Sequence, residues 1–444
     1  MPKRNVILLV TTLLVGLVAL AARERSGHAS RFGEVLGAIE RGYYQPVDGE
    51  RLFVAAVEAA VATLDENSAY LRDDGRDALE AALDQQFGGV GLELAVDEPT
   101  GQPVVVAPVF NSPAWRAGIT AGDRIVAIDG VVTQGLPLRD AVQRLRGRVG
   151  EAVSLRVQPA APPATSLDPG AARPAIVVRE LTLVRELVEV ESVQGDRRRA
   201  DGSWDWMIEG EPGVGYVRIA TFGERTAEEF TAAVEALERE PDLRGVVLDL
   251  RDNPGGLLHA AIDICDTLLA EGLIVATRGR DAAAAGDERH ATAGQVLAGV
   301  PLVVLVDGLS ASAAEIVAAC LQDAGRATVV GSRTFGKGTV QTLLPLADGR
   351  GLLKLTTSEY LRPSREPIHR RSGAGDDAAW GVLPQEGYEV TPTAAAVERL
   401  AEWRRRRETV LPPSLAAAVA SDSGPLPREI DAVLAKALDA FAAE

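Results

Sequence analysis

The strongest constraint on the fold is a pattern within residues 213–331, where short apolar runs alternate with amphipathic helical stretches. The apolar runs are GYVRIATF, GVVLDL, LIVATRG, PLVVLVDG and ATVVG, and stretches such as TAEEFTAAVEALER separate them. Strands that are apolar along their whole length are typical of parallel sheets, because helices cover both faces of such sheets. The pattern therefore predicts an α/β domain.

Residues 85–184 have a different texture of glycines, turns and short runs that favour strands. They predict strand, turn, strand, short helix, strand, helix and strand. This order, the run GDRIVAIDG and the loop Gly89, Val90, Gly91 and Leu92 resemble a PDZ domain. Such a loop points successive backbone N–H groups at a chain-terminal carboxylate, and the adjoining strand edge can pair with a peptide. The alternative is a Gly-rich hairpin with no ligand.

The N-terminal segment predicts export. Residues 1–22 carry Lys3 and Arg4, then an uncharged apolar run that ends near Ala19-Leu20-Ala21. The run is intermediate in length between a signal-peptide core and a spanning helix, so a cleaved signal and a retained membrane anchor both stay open.

Composition excludes several function classes. The formal net charge of −17 is spread along the chain, which disfavours nucleic acid as a partner. Cys265 and Cys320 are the two cysteines of the sequence, so a zinc cluster or a disulfide framework is excluded by count. A single bridge between them stays open, because an exported chain meets an oxidising compartment.

The stretch from Gly331 to Lys337 matches G-x-x-x-x-G-K, the pattern of a phosphate-binding loop. Such a loop continues with Ser or Thr and then a helix, whereas Gly338 follows here. The next residues, TVQTLLPL and LLKLTTSEYL around a Gly-containing turn, predict a hairpin. What remains is a lysine at the entry of a strand, 25 residues after Ser312. Phe335 beside it, and the lack of a nearby acid, fit an amine whose pKa falls from about 10.4 to about 7 or 8 on burial.

Ser310 and Ser312 lie at a predicted strand-turn-helix junction, PLVVLVDG into SASAAEIVAAC. This geometry presents a nucleophile beside helix N–H groups. The alternative is structural, because Ser312 and Glu315 also match a capping box and Ser310 could be the N-cap. A Ser-His site would need His259, which follows the turn RDNPGG; we expect it instead on a helix surface.

These pieces together resemble the C-terminal processing peptidases, exported Ser-Lys proteases with an embedded PDZ domain. SASAAE at 310–315 and TFGKG at 334–338 match the two signature motifs of that family. The resemblance implies Ser312 as nucleophile, Lys337 as general base and Gln341 as the residue that orients the lysine. It also implies an oxyanion site made by the backbone N–H of Gly255 or Gly256 together with that of Ala313. The sequence departs from the family at Ala314, where the motif has Ser, and at Gln385, where the later G-I-x-P-D stretch has Asp.

The resemblance implies a crotonase-like or ClpP-like α/β core, with PDZ movement gating its cleft. The expected activity is that of a serine endopeptidase without a cofactor, cleaving unstructured or C-terminal regions of proteins. The expected location is the periplasm or another extracytoplasmic compartment. The expected partners are substrates with exposed C-termini. A homodimer through terminal helices, an adaptor protein and a membrane tether are left open. The rivals are an inactive PDZ scaffold, with Ser312 only a cap, and a nucleotide-binding protein. The predicted organisation is 1–22 signal or anchor, 30–84 helical region, 85–184 PDZ domain with a Pro- and Ala-rich loop, 185–391 peptidase core and 392–444 Ala-rich helical tail.

Overall fold

The computed structural model describes residues 27–160, 177–280, 286–346, 351–371, 373–375, 377–412, 415 and 430–441. The predicted export segment and most of the predicted Pro- and Ala-rich loop lie outside these residues. The chain divides into two compact units, one of residues 1–73 with 341–356 and one of residues 74–340 with 357–444.

The helices of the described residues are α1 (Gly27–Gly42), α2 (Gly49–Val61), α3 (Asp73–Leu83), α4 (Pro113–Arg116), α5 (Leu138–Leu145), α6 (Thr226–Glu238), α7 (Leu258–Leu268), α8 (Ala313–Asp323), α9 (Ala394–Glu408) and α10 (Ala432–Ala440). The strands are β1 (Ala69–Leu71), β2 (Gln86–Gly89), β3 (Leu92–Asp97), β4 (Gln102–Pro108), β5 (Arg124–Ile128), β6 (Val131–Val132), β7 (Ala152–Gln158), β8 (Arg179–Val184), β9 (Glu186–Glu189), β10 (Val193–Gln194), β11 (Arg197–Arg198), β12 (Trp204–Asp205), β13 (Val214–Ile219), β14 (Gly245–Asp249), β15 (Leu273–Gly279), β16 (Glu288–His290), β17 (Leu302–Val306), β18 (Ala327–Gly331), β19 (Thr339–Pro345) and β20 (Leu352–Leu361).

The predicted parallel sheet is present in the order β10-β13-β14-β17-β18. Strands β13, β14, β17 and β18 run parallel, and β10 joins the edge antiparallel. One expected member is elsewhere: β15, the LIVATRG strand, pairs antiparallel with β20. Its sequence could not show this, because an apolar strand reads the same in either kind of sheet.

Helices cover both faces of the parallel sheet, and the second cover comes from the C-terminal tail. Val246 and Leu248 of β14 face the cluster built from α6, α7 and α8. Val247, between them, faces Val433 and Leu438 of α10. Successive side chains of a strand point to opposite faces, so each face needs its own cover. The tail therefore completes the core.

A buried charge network holds the tail to the sheet. Asp249, at the end of β14, accepts hydrogen bonds from Arg251 at 2.6 Å, from Arg404 at 2.6 Å and from the Tyr216 hydroxyl at 2.7 Å. Arg251 also donates twice to Asp431, the N-cap of α10, at 2.7 and 2.8 Å. Burial raises the pKa of Asp249, but the guanidinium groups of Arg251 and Arg404 outweigh burial and hold it well below its ordinary value.

Residues 92–160 and 177–184 form a small β domain within the predicted span 85–184. Its sheet has the order β3-β4-β5-β7-β8, with β6 paired to β5. The short helix α4 follows β4, and α5 lies between β6 and β7, as the sequence predicted. The chain enters this domain through β2 and leaves it through β9, and these two strands pair antiparallel as a ribbon.

The first compact unit contains α1, α2 and β1, and β1 pairs antiparallel with the first residues of β20. This agrees with the helical region predicted from residue 30. None of the helices in the described part of the chain has both the length and the apolar character needed to cross a bilayer.

Candidate active site

Ser312 lies in a strained turn between β17 and α8. Its φ is +55° and its ψ is −114°, a conformation that residues with a side chain seldom adopt. Such strain at a strand-to-helix turn is a feature of turns that present a nucleophile. The hydroxyl of Ser310 donates to the Leu250 carbonyl at 2.7 Å, and the Ala311 N–H donates to the Asn253 carbonyl at 2.9 Å. These bonds hold the turn against the loop that follows β14.

Glu315, in the first turn of α8, joins the serine segment to the lysine segment. Its carboxylate accepts hydrogen bonds from the amides of Ser312 at 2.8 Å, Lys337 at 2.8 Å and Gly336 at 2.7 Å. The Thr334 hydroxyl donates to it at 2.6 Å. The side chain is fully buried. Two oxygens that each take two donors satisfy the acceptor capacity of a buried carboxylate.

Burial raises the pKa of Glu315, and the hydrogen bonds from Thr334, Gly336, Ser312 and Lys337 oppose that effect without cancelling it. The sequence predicted only a capping box for this residue, and the Glu315 half of that box is formed. The sequence gives no sign of the other three donors, because they come from a segment that only the folded chain brings to α8.

Lys337 lies two residues before β19, and β19 pairs with β20. The predicted hairpin is therefore confirmed, and the interpretation of Gly331 to Lys337 as a phosphate loop is wrong, because a strand follows where that loop needs a helix.

The expected surroundings of Lys337 need correction. Phe335 is 50% exposed, and the buried carboxylate of Glu315 lies at the Lys337 amide, so the expectation of an apolar Phe335 cover and no nearby acid is wrong. Close backbone packing covers the segment instead. The Arg370 N–H donates to the Gly336 carbonyl at 2.8 Å, and the Tyr360 N–H donates to the Gly338 carbonyl at 2.7 Å.

The Gly255-Gly256 turn lies directly against the serine. A Cβ on Gly255 would lie 2.7 Å from the Cβ of Ser312 and 3.0 Å from the Ala313 nitrogen. A Cβ on Gly256 would collide with the carbonyl of Phe222. Both glycines also have positive φ, +95° and +145°. The structure thus brings together Gly255, Ser312 and Ala313, the residues that the resemblance assigned to one site.

The amide of Gly255 is already engaged, because it donates to the side-chain oxygen of Asn253 at 2.8 Å. Asn253 is fully buried, and its amide group donates to the Ile219 carbonyl at 2.7 Å. Of the two predicted glycine donors, this favours Gly256.

Gln341 lies in β19 and belongs to the first compact unit, whereas Ser312 and Lys337 belong to the second. Its side chain donates to the Thr356 hydroxyl at 3.4 Å. The role of Gln341 in orienting the lysine therefore stays a prediction.

The two departures from the family motifs have structural explanations. Ala314 is fully buried in α8, where a methyl group packs without an unpaired hydroxyl. Gln385 accepts a hydrogen bond from the Val329 N–H at 2.5 Å and donates to the Ala327 carbonyl at 3.3 Å, so its amide braces strand β18.

Of the predicted loop Gly89–Leu92, Gly89 ends β2 and Leu92 begins β3, so Val90 and Gly91 form the link between the two strands. The Ala114 N–H donates to the Val90 carbonyl at 2.9 Å, and the Val109 N–H donates to the Gly91 carbonyl at 3.0 Å. Gly91 has a φ of +76°, and a Cβ there would collide with Ser112. The carbonyl groups of Val90 and Gly91 are therefore occupied by hydrogen bonds within the domain.

His259 and the cysteines take no part in this arrangement. His259 is 54% exposed in its side chain and lies 3.3 Å from a carboxylate oxygen of Glu224, as expected of a helix-surface histidine. Cys265 and Cys320 are buried free thiols on α7 and α8. Burial raises the pKa of Cys265 well above its ordinary value, and the neighbouring Cys320 thiol adds to the effect.

The chain resembles known proteins over most of its length. Residues 213–380 match the model of peptidase family S41, and residues 104–159 match a PDZ domain model. A carboxy-terminal-processing protease of Bartonella bacilliformis is 34% identical over 369 residues, 82% of this chain and 78% of that protein. A carboxyl-terminal-processing protease of Synechocystis is 36% identical over 354 residues, 79% of this chain and 74% of that protein.

Among solved structures, an S41-type protease from Bacteroides fragilis aligns with a TM-score of 0.51 at 17% identity, over 92% of this chain and 97% of that one. This likeness and the family models confirm the predicted fold class, an α/β peptidase core with an inserted PDZ domain. The chain belongs to the carboxy-terminal processing proteases of peptidase family S41 and is a serine-type peptidase.

Proposed function

We propose that this peptidase cleaves unstructured protein segments with a Ser312-Lys337 dyad, and that its PDZ domain recognises the substrate C-terminus. The observation that carries the proposal is the Glu315 carboxylate, which accepts the backbone amides of both Ser312 and Lys337. One rigid acceptor thus fixes the two backbones relative to each other. Preorganisation of this kind is what a nucleophile and its base require.

In the proposed reaction, the unprotonated amine of Lys337 takes the proton from the Ser312 hydroxyl as Oγ attacks the scissile carbonyl carbon. The carbonyl electrons move onto its oxygen, which the amides of Gly256 and Ala313 stabilise. The C–N bond then breaks, and the Lys337 ammonium gives its proton to the leaving amine. Lys337 then takes a proton from a water molecule as its oxygen attacks the acyl carbon, and it returns that proton to Ser312 Oγ as the ester bond breaks.

Substrate recognition is assigned to the loop Gly89, Val90, Gly91 and Leu92. Its carbonyls are bound by the segment behind it, which leaves the opposite side of the loop to a chain-terminal carboxylate. The edge of β3 is the proposed pairing strand for the last residues of the substrate. We also propose that the chain works outside the cytoplasm, on the basis of the apolar N-terminal run of residues 1–22.

The test uses an unfolded protein with an apolar C-terminus, the same protein with its C-terminus amidated, and the Ser312→Ala variant. We expect cleavage of the first substrate, a higher KM for the amidated one, and no cleavage by Ser312→Ala. Binding without cleavage by the unmodified chain would show an inactive scaffold instead. Cleavage that persists in Ser312→Ala would contradict the proposed Ser312-Lys337 dyad.

Gly255→Ala should lower kcat by about 10- to 1,000-fold, because the added methyl group pushes against the Ser312 Cβ and displaces the Gly255-Gly256 turn, which we call the oxyanion turn. The matched control is Gly272→Ala. Gly272 also has positive φ, +113°, but a Cβ there meets nothing within 4 Å. Both variants thus carry backbone strain, and only the first meets the site. Equal losses of kcat and of melting temperature in the two variants would contradict this prediction.

Glu315→Gln should lower kcat/KM by about 100-fold and also destabilise the fold. Each carboxylate oxygen of Glu315 accepts two hydrogen bonds. Glutamine has an NH2 group in place of one of these oxygens, and this group cannot accept them, so one or more buried N–H groups lose their acceptor. Glu359→Gln, which neutralises a half-buried surface acid paired with Arg278, is the control. The measurement is steady-state cleavage together with a thermal melt, and activity within threefold of the unmodified chain would count against the role of Glu315.

A further inference from the structure

Gln85 is a buried polar residue that the reaction above does not use. It lies between α3 and β2, where the chain enters the ribbon of β2 and β9. It is 3% exposed, and its φ is +56°, which is unusual for a residue with a side chain. A buried amide in a strained conformation persists only where its surroundings demand it.

The hydrogen bonds of Gln85 join both strands of the ribbon to the peptidase core. Its backbone carbonyl accepts the Val190 N–H at 2.9 Å, and its side-chain Nε2 donates to the Val190 carbonyl at 3.3 Å. Its side-chain Oε1 accepts the Arg225 N–H at 2.8 Å. A Cβ on Gly223 would lie 2.5 Å from the Gln85 side chain, so the contact needs a glycine. Gln85 therefore binds and packs against the loop of residues 221–226, which we call the relay loop.

The relay loop in turn holds the oxyanion turn. The Phe222 N–H donates to the Gly255 carbonyl at 3.0 Å, and the Leu257 N–H donates to the Phe222 carbonyl at 2.7 Å. The Thr221 hydroxyl also donates to the Gly255 carbonyl at 3.0 Å. Gly256 has no space to move toward Phe222, because a Cβ there would collide with it. A displacement of the relay loop must therefore displace Gly255 and Gly256.

Thr226 forms one contact within the relay loop and another with the segment that follows β9. Its hydroxyl accepts the Gly223 N–H at 2.8 Å and lies 2.8 Å from the hydroxyl of Ser192. Ser192 follows β9 and donates to the partly buried Glu229 through its amide and its hydroxyl, both at 2.8 Å. The link from the ribbon to the oxyanion turn thus has two members, Gln85 and Thr226, which approach each other to 3.5 Å.

We propose that Gln85 is a positioning residue that sets the geometry of the oxyanion turn through the relay loop. The proposal rests on the proposed function, because the turn matters only if Ser312 attacks a carbonyl there. Since β2 and β9 are the two connections to the PDZ domain, the same contacts make the oxyanion geometry depend on the state of the ribbon. Gln85 itself does not touch the reacting atoms.

The test compares Gln85→Met, Thr226→Val and the double variant in the full chain with an unfolded protein substrate. Methionine keeps the length of the side chain and removes both side-chain hydrogen bonds. We expect kcat to fall about 10- to 100-fold with KM within about twofold, because a misplaced donor affects the transition state more than the bound substrate. The rate at which a fluorophosphonate labels Ser312 should fall by a similar factor. The losses should be non-additive in the double variant, since both residues act on the same loop.

Gln385→Met is the matched control, because Gln385 also bonds two backbone groups with its amide, at strand β18. It should lower the melting temperature about as much as Gln85→Met and leave kcat and labelling within about threefold. A Gln85→Met variant with a lowered melting temperature and unchanged kcat would overturn the proposal, since its role would then be structural. If Gln85→Met does not fold, Thr226→Val decides alone, and unchanged kcat and labelling rate there overturn it. An unmodified chain that cleaves nothing defeats the proposed function instead.

Discussion

Replacing Lys337 with methionine is expected to reduce peptide-bond cleavage by about 10⁴-fold, the upper range for loss of a general base. Methionine fills a similar volume and has no amine to accept the proton of Ser312. Lys337→Arg should fail as completely, because a guanidinium stays protonated at any pH at which proteins are stable. Loss in both variants would exclude a role for Lys337 as a mere positive charge.

Lys354→Met is the control, because it removes a lysine from the adjacent strand β20 and should leave activity unchanged. In the double variant Ser312→Ala with Lys337→Met, activity should be no lower than in either single variant, since residues that act as a unit are not additive. The measurement is steady-state kcat/KM on an unfolded substrate. Activity of Lys337→Met within about 100-fold of the unmodified chain would contradict the dyad.

The second large effect is on stability. Asp249→Asn is expected to lower the free energy of unfolding by about 3–5 kcal/mol at pH 7, the usual result when one partner of a buried ion pair is removed. Asp249 is fully buried and neutralises Arg251 and Arg404. Without the carboxylate, Arg251 retains its ion pair with Asp431, whereas Arg404 retains the weaker contact with Asp252 at 3.8 Å. Urea denaturation measures the change.

Glu235→Gln supplies a matched control, because it also removes one negative charge, from an exposed pair with Arg239. That change should cost less than about 0.5 kcal/mol. The effect of Asp249→Asn should also depend on pH. The folded pKa of Asp249 is depressed, so its stabilisation is complete above the unfolded pKa of about 3.9 and declines as pH falls from there toward the lower folded pKa. A difference that is the same at pH 7 and near pH 3 would contradict the prediction.

Local patterns predicted most of the α/β core. The four parallel strands, the helices between them and the β19-β20 hairpin are confirmed, because strand and helix periods are properties of short stretches. The same periods could not assign β15 to its sheet, since pairing partners are chosen by contacts distant in sequence.

The candidate site was predicted unevenly for the same reason. Ser312 could be found from a strand-turn-helix junction and a motif. Glu315 looked like a capping residue, because the hydrogen bonds from Thr334, Gly336 and Lys337 form only in the fold. Gln85 has no sequence signal, because a glutamine before a strand is ordinary until its amide is buried.

What the sequence alone determined is the set of elements that depend on neighbouring residues, namely the apolar strands, the amphipathic helices, the turn that carries Ser312 and the motif that carries Lys337. The tertiary structure alone decided which of these elements meet. It places α10 on the second face of the sheet, joins Glu315 by hydrogen bonds to the Ser312 and Lys337 segments, and joins Gln85 to the relay loop. Burial and hydrogen-bond pairing create these contacts between residues far apart in the chain, so no local pattern encodes them.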